Sequence, residues 1–215
     1  MKVKTWMDSL TDERNTWFNA VRSEDSHNYS SAILFYLEDA TKCVTRGFLS
    51  RAAMSATCAA SCLVDLEDFG DAVDLYSVSA SLYERNADLA MGRSIRESLW
   101  MLIHAYEYYV LVSDHESSDR VSRKYEELAT RVDRFETRTI FEVLENRKEN
   151  VQIAKSKLKQ NAELQQNNIT DLQKIQYSIR GFVQLVRTNA VEKPEELDHL
   201  VYESESDFNE ARIVS

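Results

Sequence analysis

Apolar side chains recur at three- and four-residue steps along most of this 215-residue chain. That spacing places them on one side of an α-helix, so the pattern predicts a succession of helices. Three of them span about 48–67, 71–87 and 93–112, and two more lie upstream in "DERNTWFNAVRSED" and "NYSSAILFYLEDATKCVTR". Gly47, Gly70 and Gly92 separate them, since glycine commonly occupies the position just past a helix end. Because the connections are short, successive helices should be antiparallel neighbours.

An internal repeat is found when residues 29–44 are aligned with residues 69–84, an offset of 40 positions. Both segments alternate aromatic, small and large side chains at helical spacing. The matched pairs are Tyr29 with Phe69, Ala32 with Ala72, Phe35 with Leu75, Tyr36 with Tyr76 and Ala40 with Ala80. A period of about 40 residues with two helices in each unit is typical of helical solenoids.

The segment "RAAMSATCAASC", residues 51–62, carries almost no bulk, since ten of its side chains are Ala, Ser, Thr or Cys. Alanine is the strongest helix former, and a helix with such small side chains lets its neighbours approach closely. We therefore expect an inner helix that is packed on two sides. The large side chains that fill the gaps should come from the flanking helices: Tyr36, Leu75, Tyr76, Leu82 and Tyr83.

After residue 118, the periodic stretches become longer and the chain becomes more highly charged. The sequence predicts three parts: a helical array over 8–135, a long helical hairpin over 136–190, and a short helix with an acidic, mobile tail over 191–215. The hairpin carries an apolar stripe made of Leu172, Ile175, Ile179, Phe182 and Val186. We expect this hairpin to pack on the array or on a second chain, and in the second case the stripe would form a homodimer.

The block from Ala59 to Gly92, "AASCLVDLEDFGDAVDLYSVSASLYERNADLAMG", resembles a tetratricopeptide (TPR) repeat. The positions that match the pattern are Ala60, Leu63, Phe69, Ala72, Tyr76 and Ser79, whereas Glu67 replaces the usual turn glycine. In repeat length and residue pattern, the block is more similar to the TPR-like repeats of the soluble NSF attachment proteins. The resemblance implies a right-handed array of antiparallel helical hairpins whose first helices form a concave face that grips a peptide or a partner helix.

Mapped by position, that implied face would hold seven residues: Arg14, Trp17, Met54, Thr57, Ser61, Tyr106 and Val110. Large aromatic side chains are mostly buried in any helical protein. Trp17 and Tyr106 could therefore equally be ordinary core residues. The sequence leaves both interpretations open.

Composition narrows the class of protein. One proline and four glycines are too few for a turn-rich β protein, and no apolar run is long enough to span a membrane. There is no signal-peptide core, and the three cysteines, an odd number, lie in helical surroundings, so we expect a soluble, reduced, cytoplasmic protein. The net charge is −8 over 1–118, +4 over 119–191 and −6 over 192–215, which makes nucleic acid an unlikely main partner.

Candidate chemistry is sparse. Cys58 and Cys62 share a helix face, but zinc needs four ligands and no second paired motif is present, so buried thiols are the better interpretation. A di-iron bundle would need Glu-x-x-His on two helices, and only Glu196 and His199 form one. His104 lies on an apolar stripe near Glu107 and is expected to be a core histidine. We therefore expect no metal, no cofactor and no enzymatic activity.

Two alternatives to a protein-binding scaffold remain. Arg22 and His27, in "RSEDSH", have the Arg-x4-His spacing that resembles the HEPN family of RNA-cleaving helical domains, which implies a helical domain that binds or cleaves RNA. The intervening Glu24 and Asp25 would repel a phosphate, and short motifs recur by chance. The basic 119–191 segment could also bind RNA. The other alternative is a dimeric structural protein whose groove holds no ligand.

Overall fold

A computed structural model describes residues 15–132, 144–148, 151 and 172–189 of the chain, and these residues are helical with short turns. Each of the first five helices packs against the next one along the chain. The helices are α1 (Thr16–Asp25), α2 (Tyr29–Thr45), α3 (Leu49–Asp65), α4 (Phe69–Ala90), α5 (Ile95–Leu111), α6 (His115–Ala129) and α7 (Leu172–Asn189). The predicted all-α antiparallel array is therefore confirmed.

Four of the turns between helices share one construction. A residue with left-handed backbone geometry ends the preceding helix, at φ between 58° and 78°: His27, Gly47, Glu67 and Ser113. The N–H of the following residue then bonds back across the turn, as Asp68 N–H does to the Leu63 carbonyl at 2.9 Å. This is the hydrogen bond of a Schellman motif, which satisfies the last carbonyls of the helix. It closes the turn tightly and sets the next helix antiparallel.

The repeat found in the sequence coincides with α2 and α4, which begin 40 positions apart at Tyr29 and Phe69. Gly70, predicted to lie just past a helix end, instead lies in the first turn of α4. The boundary falls three residues earlier because Glu67 adopts the left-handed conformation and the Asp68 carboxylate accepts a hydrogen bond from Asp71 N–H. The packed succession of helices is compatible with a helical repeat.

The alanine-rich helix α3 lies between α2 and α4 and packs against both. Its alanines have no solvent exposure: Ala52, Ala53, Ala56, Ala59 and Ala60. The five large side chains that the sequence predicts as fillers are all buried. The Ser79 hydroxyl of α4 donates a hydrogen bond to the Ala53 carbonyl of α3 at 2.9 Å, which requires the two helices to approach closely. The predicted inner helix is confirmed.

Helix α7 packs on α2 and α4, two helices that are far from it in the sequence. Ile175, Ile179, Phe182 and Val186 are buried there, while the side chain of Leu172 lies outside the described residues. A homodimer through this stripe would require α7 to leave its place on α2 and α4, and it stays a prediction. Residues 8–14, most of residues 136–171 of the hairpin predicted over 136–190, and the 191–215 tail also lie outside the described residues. Among the described helices, none is long and apolar enough to cross a membrane.

Candidate functional site

Contacts between side chains connect α1, α3 and α5 on one side of the array, which we call the inner face. At its α1 end, Trp17 packs edge-on against Tyr36 of α2, with ring centroids 5.2 Å apart. The guanidinium of Arg51, on α3, lies over the Trp17 ring at 5.9 Å from its centroid. Cation–π contacts of this kind favour a fixed relative position of the two groups. Trp17 of α1 is thus held against α2 and the alanine-rich helix α3.

At the α5 end of the inner face, aromatic rings are stacked side by side. Tyr108 lies between Tyr76 and Tyr83 of α4, with centroid distances of 5.5 and 6.0 Å. One turn away, His104 packs edge-on against Trp100 at 4.3 Å and contacts Tyr83 at 5.2 Å. Trp100, His104 and Tyr108 recur every four residues, so they form one stripe along α5.

Small polar groups of α3 join these rings to the inner helix. The Ser61 and Tyr76 hydroxyls lie 3.2 Å apart, and Tyr108 is hydrogen bonded to Thr57. Burial raises the pKa of Tyr108 and that of Tyr76, so both rings carry neutral hydroxyls at physiological pH. Within this aromatic row, the Tyr76 and Tyr108 hydroxyls therefore already have polar partners on α3.

Of the seven residues that the sequence places on the binding face, Arg14 lies outside the described residues. Trp17, Thr57, Ser61 and Val110 are half-buried, Met54 is exposed, and Tyr106 is buried. Met54 shares a helical stripe with Thr57 and Ser61. The structure thus brings Trp17, Met54, Thr57 and Ser61 to the inner face through α1 and α3.

Tyr106 lies elsewhere on α5, and the residues that meet α3 are Tyr108 and its stripe neighbours. The charges of Asp119 on α6 and of Glu145 act on the Tyr106 hydroxyl, whose pKa is raised mainly by burial. Sequence reasoning missed Trp100, His104 and Tyr108. Their four-residue spacing was a signal, but α5 carries apolar or aromatic side chains around most of its circumference, so periodicity alone does not select this stripe.

Arg51 is fixed by a buried acid. Its Nε and Nη2 donate hydrogen bonds to the two Asp39 carboxylate oxygens at 3.2 and 2.9 Å, and the Ser55 hydroxyl donates to the same carboxylate at 2.7 Å. Asp39 is buried on α2, so this paired arrangement links α2 to α3. The hydrogen bonds to Asp39 raise the pKa of Arg51. A permanent cation therefore lies beside Trp17 at the edge of the inner face.

The surroundings of the thiols in this region disfavour the thiolate form. Burial raises the pKa of Cys58 to about 11 and that of Cys62 to about 12, and the Glu24 carboxylate adds to both shifts. The thiolate is the nucleophile and metal ligand, so neutral thiols are poor at either role. In the part of the chain that the structure describes, no group of three or more His, Cys, Asp and Glu residues could hold a metal ion. Glu196 and His199 lie outside that part.

Arg22 lies in the last turn of α1, and His27 lies in the turn between α1 and α2. Arg22 is exposed and lines a shallow depression with Asn19, Ser26 and Phe35, whereas His27 does not line it. His27 has its Nδ1 3.2 Å from the Tyr29 hydroxyl. Among the described contacts, no hydrogen bond joins Arg22 to His27. Cleavage of RNA by this pair stays an untested prediction.

The chain was compared with protein-family models, curated proteins and solved structures. No protein-family model, no curated protein and no solved structure matches the chain.

Proposed function

We propose that this protein is a non-enzymatic scaffold whose inner face binds a peptide or a helix of a partner protein. The observation that carries the proposal is the exposure of two large apolar side chains on that face. Met54 on α3 is 42 % exposed and Trp100 on α5 is 52 % exposed. Aromatic and methionine side chains are enriched at protein interfaces, and tryptophan is among the commonest residues whose truncation weakens binding most.

The support beneath Trp100 is rigid. Trp100 packs against His104 and, edge-on, against the buried Tyr83, at centroid distances of 4.3 and 6.1 Å. A preformed surface loses little conformational entropy on binding, which favours affinity. Met54 is by contrast unbranched and flexible, and methionine adapts to differently shaped apolar partners. The pair would suit an apolar segment rather than a polar ligand.

The positive charge at the edge of the inner face further restricts the kind of partner segment that would bind there. The Arg51 side chain is about half exposed, and its charge is fixed by Asp39. A partner segment with apolar residues next to an acidic group would complement Trp17, Met54 and Arg51 together. The resemblance to TPR repeats supports the same face, because it implies that the first helix of each pair lines the groove.

Binding rather than catalysis is proposed because two carboxylates of the region are already engaged. The Glu24 carboxylate accepts a hydrogen bond from the Tyr36 hydroxyl, and the Asp39 carboxylate accepts those of Arg51 and Ser55. A general acid or base must instead be able to exchange a proton with a substrate. The raised pKa values of Cys58 and Cys62 likewise disfavour a nucleophilic role.

The proposal is tested by affinity capture from cell extract followed by quantitative mass spectrometry. Met54→Glu and the double variant Met54→Glu with Trp17→Ala place a charge on the inner face and remove a neighbouring ring. Partners of the wild type should be depleted at least tenfold. Phe48→Glu is the matched control, because Phe48 is 58 % exposed but lies in the turn before α3. Equal partner profiles for wild type and the inner-face variants, with unchanged circular dichroism, would contradict the proposal.

A further inference from the structure

The surface between α2 and α4 that carries α7 is a second place where a helix is bound, and we call it the outer trough. α7 buries only one side of itself there: Ile179 and Phe182 are fully covered, whereas Tyr177 is 81 % exposed. The preceding helix of the array, α6, ends at Ala129, far along the chain from the start of α7 at Leu172. α7 is therefore a remote segment that occupies the trough as an amphipathic helix.

On the α2 side, α7 leaves the trough partly unfilled. A cleft of about 730 Å³ lies between the two helices, and its lining includes Leu34, Phe35, Tyr177 and Gly181. A Cβ placed on Gly181 would meet no atom within 4 Å. Glycine in a helix interior also destabilises that helix relative to alanine. The α7 sequence is thus neither the best helix nor the best filling for this surface.

On the α4 side, an acidic group is left without a full partner. Asp71 has a buried Oδ2 with no hydrogen-bond partner among the described residues. A second cleft, of about 440 Å³, is lined by Asp71 and Asp74 and by Arg180 and Arg187 of α7. The charge of Arg180 acts on Asp71, but no described hydrogen bond joins the two side chains. A buried polar atom without a hydrogen bond is costly, so a side chain that reached Asp71 would bind more favourably.

We propose that the outer trough is a binding site for a basic amphipathic helix of a partner protein, and that α7 is its displaceable occupant within the chain. The partner helix would carry apolar residues at the spacing of Ile175, Ile179, Phe182 and Val186. A large apolar residue at the position of Gly181 would fill the α2 cleft. Arg or Lys at the positions of Arg180 and Arg187 would reach the two aspartates.

The attachment of α7 to the same chain explains how an imperfect helix holds the site. A tethered segment acts at a high effective concentration, so it covers the trough without needing optimal contacts. A partner helix displaces it only if its contacts with the trough are better, and the equilibrium then shifts by that difference in affinity. The outer trough is separate from the inner face on α1, α3 and α5, so this inference is independent of the proposed function.

Fluorescence anisotropy with a labelled peptide tests the inference on the full chain. The probe is the sequence of residues 172–189 with Gly181→Leu, and the control peptide also carries Ile179→Asp and Phe182→Asp. Wild type should bind the probe, and full-chain Ile179→Asp, whose own α7 is weakened, should bind it at least tenfold more tightly. Full-chain Gly181→Ala, whose own α7 is strengthened, should bind it several-fold more weakly than wild type. The control peptide should bind none of them.

Adding Asp71→Asn and Asp74→Asn to the Ile179→Asp chain should weaken probe binding several-fold and reduce its dependence on salt. Absence of probe binding, or equal affinity for wild type and Ile179→Asp, would overturn the inference. So would a wild-type dimer in sedimentation that Ile179→Asp abolishes, because the occupant would then be a second copy of the chain.

If Ile179→Asp loses its helical circular dichroism, hydrogen exchange of the wild type decides the question. The α7 amides should exchange at least tenfold faster than those of α3, because α7 would open without the array unfolding. Equal protection of α7 and α3 would mean that α7 is a permanent part of the core and would overturn the inference.

Discussion

The Glu84 carboxylate of α4 accepts two hydrogen bonds from the Arg120 guanidinium of α6, at 2.9 and 2.8 Å. Lys124 donates to the same carboxylate at 2.9 Å, and the Tyr109 hydroxyl of α5 donates to it at 3.1 Å. A single buried acid therefore connects three consecutive helices. Burial alone would raise the pKa of Glu84, but the hydrogen bonds and charges of Arg120 and Lys124 outweigh it and lower the pKa to about 2.

Replacing Glu84 with glutamine should lower the free energy of unfolding by about 1–3 kcal/mol near neutral pH, because it removes the charge that both cations face. The Arg120 side chain is about half exposed, so the loss should be smaller than for a fully buried pair. Urea unfolding followed by circular dichroism measures the effect. Asp88→Asn, which removes only the exposed partner of Lys124, is the control and should cost about 0.5 kcal/mol or less.

The stability of the wild type should also depend on pH through Glu84. A carboxyl group whose pKa is lowered on folding contributes stability above its ordinary pKa, and that contribution is lost as the pH falls through the folded value. The loss should occur between about pH 5 and pH 2, and Glu84→Gln should show less of it. Urea midpoints measured across this range for both proteins test the prediction. Parallel curves for the two proteins would show that Glu84 does not titrate in this way.

Glu67→Gly should stabilise the protein. Glu67 ends α3 with φ at 62°, a left-handed conformation that costs a non-glycine residue roughly 1–2 kcal/mol. Part of the gain is offset because glycine makes the unfolded chain more flexible, so we expect a net gain of about 0.5–1 kcal/mol. Glu67→Val, which is β-branched, should instead destabilise. Thermal melts of the three proteins measure the order, and a lower melting temperature for Glu67→Gly would contradict the assignment of strain to this turn.

Ala56→Leu and Ala60→Leu should each destabilise the protein by about 1–3 kcal/mol, because both alanines are fully buried and leave no room for a larger side chain. Thermal or urea unfolding measures the effect. Met54→Leu on the same helix is the control, since that side chain is exposed and the two residues have similar volumes. Unchanged stability of both alanine variants would mean that α3 is not tightly enclosed.

The three cysteines should react slowly with a thiol reagent in the folded protein. Burial raises the pKa of Cys43 and Cys58 to about 11 and that of Cys62 to about 12, so very little thiolate exists near pH 8. Labelling with Ellman's reagent should become fast for all three thiols when urea unfolds the chain. Rapid stoichiometric labelling of Cys58 before unfolding would show that its side chain is more accessible and more acidic than the structure implies.

Helix positions followed from the sequence where a local rule decides them. The period of the apolar residues placed α2, α3 and α5 to within a few residues, because it depends on one helix at a time. Gly70 shows the limit of such rules. Glycine is the usual residue at a helix end, but a non-glycine residue adopts the left-handed conformation at Glu67 when the flanking carbonyl and cap hydrogen bonds compensate for its cost.

The candidate site was only half predictable. The resemblance to TPR repeats placed Met54 and Thr57 on the binding face, and both lie on one stripe of α3 in the structure. On α5, by contrast, both Tyr106 and Tyr108 fit a buried or half-buried position, and the resemblance to TPR repeats pointed to the first. Only Tyr108 contacts Tyr76 and Tyr83, and that choice depends on how α4 is rotated against α5.

The sequence by itself determined that this protein is helical, that its helices run antiparallel, and that the alanine-rich segment is enclosed. Each of these depends on side-chain size, spacing and turn chemistry within a short stretch. Only the tertiary structure decided that the stripe of Ile179 and Phe182 is buried on α2 and α4, and that Glu84 joins three helices. An amphipathic pattern requires that one face be covered, but the covering surface depends on the fit between segments far apart in the chain.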